Sequence, residues 1–462
     1  MAMKREMGLF EMIDAAEKAA TALSERVNQG IESFLHEHLD RIFGHEIVQL
    51  YFEQKKQIPD AEIIIHQMGD YPRMVFDVAI NFRGSLMARR RFTTIPHPRK
   101  LPIIKIEHMK TRILITGGCG FIGHHVVEHL LKNTDWDIII LDRLSYASNG
   151  FDRLRDIEVF GANEKRVQIF TADFAHPIEE GLLSEIGQVD YILHMGAETH
   201  VDNSIKEPMK FVFANVVGTG NILQFARQQT NLKKFIYFST DEIFGPAPAG
   251  YNFKEYDRYN SGNPYAATKA GGEELAVSFA NTYKLPVMIT HTMNVFGERQ
   301  HPEKFIPMCI KKILAGEEIT IHANKDMTKA GSRYWIHARD VAATLLYLMQ
   351  QPQGMDTEMV NGEFVTLPAQ KFNIVGEREV DNLELAQLIH ENLTRLGLTN
   401  GPLRYKMVDF HSSRPGHDLR YALDGTKLKQ MGYTLPVGFE AALAKTVEWM
   451  VSPKWSRWLK TN

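Results

Sequence analysis

The sequence predicts an α/β protein: a doubly wound parallel sheet, a smaller α/β part at its C-terminal end, and a separate α+β module in front of both. Three observations lead there. A glycine turn, Gly117-Gly118-Cys119-Gly120-Phe121-Ile122-Gly123, directly follows a short apolar run. From that turn onward, strand patterns alternate with helix patterns, as a parallel sheet requires. Ahead of it the chain is patterned differently, and a proline-bearing stretch divides the two.

The elements follow in order. Residues 8–57 read as helix, because Leu9, Ile13, Ala16, Ala20, Leu23 and Val27 recur at helical spacing. Residues 61–65 and 74–81 read as strands, punctuated by Gly69, Pro72 and Gly84. Residues 94–102 hold Pro96, Pro98 and Pro102 and read as a linker. Residues 1–108 therefore form one module, without an assigned role. Residues 109–300 form mainly the sheet domain. Residues 301–462 form mainly the smaller part, with chain exchange between the two. Strands are expected at 111–116, 138–141, 167–170, 191–194, 235–239 and 287–290. Helices are expected at 122–132, 208–229, 264–283, 338–350, 382–396 and 437–450.

Composition narrows the class. The chain has 462 residues, 44% of them apolar and 24% charged, as in globular proteins with more than one domain. A formal net charge of −3 gives no reason to expect nucleic acid. Arg83, Arg89, Arg90, Arg91, Arg99, Lys100 and Lys105 form a local basic cluster, read as a solvated face. Two cysteines, Cys119 and Cys309, exclude a disulfide framework and fit a reducing compartment. No apolar run reaches spanning length, and the N-terminus lacks the pattern of a signal peptide. A cytoplasmic protein with no membrane partner is the expectation.

The glycine turn carries chemistry. Gly117 permits a tight turn, Gly120 lets backbone approach a pyrophosphate, and Gly123 lets the helix pack closely on the strand. Phe121 and Ile122 open that helix, whose N-terminal amides and dipole favour phosphate. Asp142 follows about 20 residues on, where a carboxylate receives the ribose hydroxyls of a dinucleotide and repels a 2′-phosphate. NAD is favoured over NADP, although Arg143 beside it is a residue that accommodates such a phosphate. A Rossmann domain is implied. His125-Val126-Val127-Glu128-His129 spells a pattern used by zinc peptidases. It lies on the dinucleotide helix, where Val126, Val127, Leu130 and Leu131 are expected to pack on the sheet. Exposed or partly buried histidines, with no metal, are the better reading.

Two further groups complete the candidate site. Tyr265 and Lys269 stand one helical turn apart. A nearby cation stabilises a phenolate, and bringing a phenol from 10 to about 7 takes roughly 4 kcal/mol. Ser239-Thr240-Asp241-Glu242 ends an apolar strand, where ligands bind in open α/β sheets. Thr240 suits a substrate hydroxyl, and adjacent carboxyls suit divided acid and base roles.

With these residues in view, the chain from about 111 to 450 resembles the extended short-chain dehydrogenase/reductases, and among them the dTDP-glucose and UDP-glucose 4,6-dehydratases. The resemblance rests on the glycine turn, His194-Met195-Gly196-Ala197-Glu198-Thr199-His200, Asn215-Val216-Val217-Gly218-Thr219, Thr240-Asp241-Glu242, Tyr265 to Lys269, Pro302-Glu303-Lys304-Phe305 and Arg414-Pro415-Gly416-His417-Asp418. It implies that Tyr265, Lys269 and Thr240 oxidise a sugar at C4 with NAD. Glu242 would then take the C5 proton, and Asp241 would protonate the leaving C6 hydroxyl. Lys269 would also touch the cofactor. By the same resemblance Asn294, Lys304, Phe305, Arg333 and Arg414 would bind the sugar nucleotide, and the protein would be a homodimer. A smaller substrate-binding part after residue 300 fits this scheme.

Two stretches depart from the family pattern: Val295-Phe296-Gly297-Glu298-Arg299, and Tyr334-Trp335-Ile336-His337-Ala338-Arg339-Asp340. Both are expected near the nucleotide pocket, which leaves dTDP, UDP or another base open. The family does not normally carry a segment like residues 1–108, whose helix-then-strand pattern suits an oligomerisation or tethering module. A 4-epimerase or a 5,6-dehydratase on the same fold, or a non-catalytic NAD-binding scaffold, are the competing readings.

Overall fold

The computed structural model describes residues 61–68, 75–82, 85–93, 110–145, 148–360, 363–409 and 419–460, the first three stretches as backbone strands. The chain divides into two compact units, Met1–Met109 and Lys110–Asn462.

The first unit contains a three-stranded antiparallel meander: β1 (Ala61–Met68), β2 (Val75–Phe82) and β3 (Ser85–Thr93). Two of these strands fall where alternation placed them. β3 is additional, and Arg89, Arg90 and Arg91 lie along it. The expected helix over 8–57 and the expected linker lie outside the described residues.

The second unit is built on a seven-stranded parallel sheet. Its strands are β4 (Arg112–Thr116), β5 (Asp137–Asp142), β6 (Val167–Thr171), β7 (Tyr191–His194), β8 (Lys234–Thr240), β9 (Val287–Thr292) and β10 (Gln370–Ile374). The spatial order is β6-β5-β4-β7-β8-β9-β10. The order reverses between β4 and β7, and that is where such sheets open a crevice beyond their carboxyl ends. β10 belongs to this sheet although it lies well beyond residue 300.

Helices cover both faces because successive strand residues point to opposite sides. Ile113 and Ile115 meet Val126, Val127, Leu130 and Leu131 of α1 (Phe121–Asn133) in one layer. Leu114 points the other way, toward Ile222, Leu223 and Phe225 of α2 (Gly218–Arg227) and Ala276 and Phe279 of α3 (Pro264–Tyr283). A second core, beyond the sheet, joins α4 (Phe305–Leu314), α6 (Asn382–Arg395) and α7 (Phe439–Val451). Between α4 and α6 in the chain, α5 (Ala338–Gln350) packs with α1 in the first layer.

The helix expected over 208–229 is interrupted. Pro208–Val212 is α-helical, Phe213–Val217 is a π-helical turn, and α2 follows. The wider turn contains Asn215, which accepts from the Glu198 amide at 2.8 Å and donates to the Glu198 carbonyl and Thr268 Oγ1 at 3.0 Å each. π-turns of this kind concentrate at functional sites.

One buried cation ties the sheet to α5. Lys234 at the start of β8 donates to the Leu348 carbonyl at 2.6 Å, to that of Met349 at 3.1 Å, and to that of Gln351. These are carbonyls at the end of a helix, where a cation also meets the negative end of the dipole. Burial brings the ammonium down to about 8. Replacing Lys234 by Met is expected to destabilise the unit by about 1–3 kcal/mol, the cost of buried carbonyls losing their partner. Urea denaturation measures this; an unchanged midpoint would contradict it.

Candidate active site

The candidate residues converge on one cleft of about 500 Å³ at the carboxyl end of the sheet, a volume within the usual range for small-molecule sites. Its lining includes Gly117, Gly120, Phe121, Ile122, Gly123 and Asp142 from one side. Thr240, Asp241, Glu242, Tyr265 and Lys269 line its centre, and Asn294, Lys304, Phe305 and Arg333 the other side. Arg414 lies outside the described residues.

The glycine turn is built for backbone approach. Gly117 has φ +73°, and a Cβ there would stand 2.9 Å from Gly196 Cα. At Gly123 a Cβ would meet the Gly117 carbonyl oxygen at 2.2 Å, so only glycine lets α1 sit this close to the turn. No side chain caps the N-terminus of α1, and its first turn has no acidic residue. Amide donors and dipole thus face the cleft, as a pyrophosphate needs. These features fit a dinucleotide.

Asp142 ends β5 and is buried. Its Oδ2 accepts from the Cys119 amide at 3.0 Å and its Oδ1 from the Leu144 amide at 2.8 Å. Burial pushes its carboxyl upward, and those amides pull against it. Arg143 is turned to other acids: it donates to Asp173 at 3.2 Å and to Glu198. The arginine that left NADP open is therefore held by two carboxylates.

The candidate reacting groups come from the end of β8 and the start of α3. β8 runs directly into a 3-10 turn, Asp241–Phe244. Thr240 Oγ1 donates to Asp241 Oδ1 at 3.0 Å and accepts from the Glu242 amide at 3.4 Å. Asn263 caps α3 by accepting from the Ala266 amide at 2.8 Å, while its Nδ2 donates to Glu242 Oε2 at 3.1 Å. One side chain thus fixes both the start of the Tyr265 helix and the Glu242 carboxylate. The Tyr265 amide donates to Ser204 Oγ at 3.1 Å, and its ring meets Phe211 edge-on at 6.4 Å.

Electrostatics separate these groups. Asp241 is 5% exposed, and burial, then the neighbouring Glu242 charge, raise its carboxyl to about 7. It can hold a proton at neutral pH, as a general acid must. The expectation for Tyr265 needs correcting. Burial, followed by the charge of Glu242, pushes its hydroxyl well above the ordinary phenol value. Lys269 is itself brought down to about 7 by burial. Its Nζ donates to the Phe238 carbonyl at 2.7 Å and lies 4.3 Å from the Tyr237 ring centre. The protein alone therefore resists forming a phenolate.

Two other expectations change. His125 is fully buried on α1, with Nε2 at 3.1 Å from the Glu298 carbonyl. Burial drives it well below the ordinary histidine value. Among the described residues no cluster of three potential ligands could hold a metal. The departing stretches reach the cleft only in part. Val295 and Phe296 pair in parallel with Ile336 and His337. Glu298 bonds His337 at 3.2 Å and Arg339 at 3.0 Å, and Arg299 reaches His124 at 3.4 Å. These altered side chains lock onto each other and onto α1, and none lines the cleft. From the same stretches the cleft receives Val295 and Trp335, and Trp335 stacks on Phe305 at 6.2 Å.

Sequence reasoning missed Arg153, which is 1% exposed yet lines the cleft. It donates to the carbonyls of Arg299 at 3.0 Å and Ser148 at 2.6 Å. No local pattern marks it. His301 and Glu303 also line the cleft, and their adjacency to Lys304 was the available signal.

The sequence model of the GDP-mannose 4,6 dehydratase family matches residues 114–446. A dTDP-glucose 4,6-dehydratase of Escherichia coli is 32% identical over 372 residues, covering 75% of this chain and 96% of the relative. One from Neisseria gonorrhoeae is 34% identical over 361 residues, with 75% and 98% covered. Among solved structures, the dTDP-glucose 4,6-dehydratase DesIV of Streptomyces venezuelae, with NAD and TYD bound, has 33% identity and a TM-score of 0.62. The match covers 76% of this chain and 100% of that one. A UDP-glucose 4-epimerase of Thermus thermophilus in complex with NAD, at 24% identity and a TM-score of 0.60, shares the fold; 73% of this chain and 98% of that one are covered.

The turn yields a direct test. Gly123→Ala is expected to displace α1 from the turn and to weaken NAD binding at least tenfold by calorimetry. Wild-type affinity in that variant would contradict the close-approach account.

Proposed function

The chain belongs to the GDP-mannose 4,6 dehydratase family, and we propose that it is an NAD-dependent nucleotide-sugar 4,6-dehydratase. It converts a hexose of the glucose type, carried on dTDP or UDP, to the 4-keto-6-deoxy sugar nucleotide. The relatives at 32% and 34% identity bear the dTDP-glucose name. That name favours the thymidine nucleotide, while Val295 from an altered stretch lines the cleft and keeps UDP in play.

Gly117, Gly120, Gly123 and Asp142 would hold NAD, which would supply a hydride acceptor for C4 and a donor for C6 without being consumed. Thr240 hydrogen-bonds the C4 hydroxyl and Tyr265 removes its proton, with Lys269 supplying positive charge. The resulting ketone acidifies C5, and Glu242 takes that proton. Asp241 gives its proton to the C6 hydroxyl, so water leaves rather than hydroxide. Arg333 serves the diphosphate; its guanidinium is held by the Ser332 and Leu419 carbonyls at 2.7 Å each. Lys304 stands exposed at the rim, and with Asn294, Phe305 and Arg414 completes the nucleotide contacts in this reading.

One observation carries the choice of elimination over epimerisation. Asp241, held near 7, stands beside Glu242 in the same cleft as Tyr265. An epimerase needs the oxidation at C4 but has no task for that acid and base.

We also infer a homodimer. Ile205, Met209, Phe213 and Val217 are exposed by 43%, 58%, 53% and 41%, at intervals of four residues. This is an apolar stripe of the kind a second copy covers. Two free, buried cysteines agree with a cytoplasmic enzyme. No described helix is long and apolar enough to cross a membrane.

Assay of dTDP-glucose and UDP-glucose for 4-keto product tests the activity. Glu242→Gln is expected to lower turnover by about 10²–10⁴-fold; undiminished dehydration would sink its role as base. Asp241 must carry its proton, so the elimination rate should fall as pH rises through about 7. Asp241→Asn should be slow and lack that limb. For assembly, Phe213→Glu should sediment as a monomer where the wild type sediments as a dimer. A variant that remains dimeric would contradict the stripe.

A further inference from the structure

Asp241 and Glu242 are neighbours in the chain, yet the proposed elimination asks one to hold a proton and the other to take one. The side chains themselves do not make that choice, since free Asp and Glu titrate only about half a unit apart. Their surroundings must make it.

The segment that enters α3 is stitched to the 3-10 turn that carries the two acids. The Asn260 amide donates to the Ile243 carbonyl at 2.8 Å, and Ser261 Oγ donates to the same carbonyl at 3.4 Å. The two segments touch at Gly245, where a Cβ would stand 2.3 Å from the Asn260 carbonyl oxygen. Asn263 follows. It is 6% exposed and does not line the cleft. Its orientation is fixed at both ends. Oδ1 takes the Ala266 amide at 2.8 Å, so Nδ2 is the end that donates to Glu242 Oε2 at 3.1 Å. A flipped amide would set oxygen against oxygen and lose the cap as well.

The two carboxyls therefore stand in different surroundings. Glu242 is half-buried, and an N–H donated to its oxygen favours the ionised form. Asp241 is 5% exposed. Its Oδ1 takes the Thr240 hydroxyl at 3.0 Å, while its Oδ2 is buried and meets no hydrogen-bond partner among the described residues. A charge there would lack both water and a donor on one side. The other titratable groups at the centre of the cleft are Tyr265 and Lys269, from α3, and Arg333. Arg333 favours an Asp241 carboxylate, but burial and the Glu242 charge outweigh it. Adjacent carboxyls disfavour double ionisation. The one negative charge falls to Glu242, and the proton stays on Asp241.

We propose that Asn263 is a positioning residue for the elimination step: its side-chain amide holds Glu242 in place as the ionised base and so leaves Asp241 as the acid. The inference rests on the proposed 4,6-dehydratase reading.

Asn263 also caps the helix of Tyr265, so its two duties must be separated. Asn263→Asp does this. Asp caps a helix as well as Asn does, and the Tyr265 amide keeps its own acceptor, Ser204 Oγ, at 3.1 Å. The donor to Glu242, however, becomes a third carboxylate. Asn263→Gly removes the donor without adding charge and with little loss of capping. Single turnovers of dTDP-glucose on NAD-loaded protein are followed by NADH absorbance and by 4-keto product. Oxidation at C4 makes NADH, and decay of that NADH needs the elimination. In Asn263→Asp, NADH should still form, build to a larger transient than in wild type, and decay at least about tenfold more slowly, the effect of one unit in a protonation equilibrium. Asn263→Gly should slow the same step, by less. Unchanged decay in both variants overturns the proposal. So does an equal slowing of NADH formation and decay, the mark of a damaged cap. Circular dichroism checks the fold; if Asn263→Asp does not fold, Asn263→Gly decides alone. A wild type that makes no 4-keto product refutes the reaction, and this inference with it. An active wild type with insensitive variants refutes the inference alone.

Discussion

Charge kept out of water at the carboxyl end of the sheet is the constraint on which the site depends. Thr240, Asp241, Tyr265 and Lys269 are each less than one-tenth exposed. In solvent a carboxylate, a phenol and an ammonium would each hold its ordinary state. Here burial drives all three toward neutrality: Asp241 keeps its proton, Lys269 loses hold of one, and Tyr265 resists giving one up. The cleft is therefore ready to donate a proton from Asp241. It is not ready to take one with Tyr265 until positive charge is supplied. On the proposed assignment that charge would come from the bound nicotinamide and from the share of Lys269 that keeps its proton near neutral pH. Oxidation would then begin only when the cofactor is in place.

The fold supports this arrangement with few connections. β8 delivers the Thr240-Asp241-Glu242 run, and α3 delivers Tyr265 and Lys269. Asn263 joins the two by capping one and bonding the other. On the opposite side, Glu298 and Arg339 clamp the stretch that leads to the cleft against α1. Variation within that clamp changes how α1 is held, while the nucleotide contacts come from neighbouring positions. Departure from a family pattern near a pocket is therefore weak evidence about specificity until the side-chain directions are known.

Much of this was legible in the sequence, for identifiable reasons. Buried parallel strands such as Arg112–Thr116 are continuous apolar runs, and the glycine spacing is fixed by the approach of α1 to its turn. The spacing from Tyr265 to Lys269 is a helical repeat, so both fall on one face. What stayed hidden depends on contacts far apart in the chain. Glu298 and Arg339 lie too far apart for any local pattern to join them. Arg153 looks like any surface arginine until its neighbours bury it. The π-turn at Phe213–Val217 has no composition of its own. The direction in which Tyr265 is shifted was misjudged because spacing reveals a nearby cation and says nothing of desolvation, the larger effect here.

The central claim is that the sugar is oxidised at C4 and that the same hydride returns at C6 after water leaves. Dehydration of dTDP-glucose deuterated at C4, in unlabelled NAD, tests it most directly. The account predicts a 4-keto-6-deoxy product with deuterium at C6 and no net NADH. Deuterium found at C4 of an epimerised sugar, or left in released NADH, would contradict it.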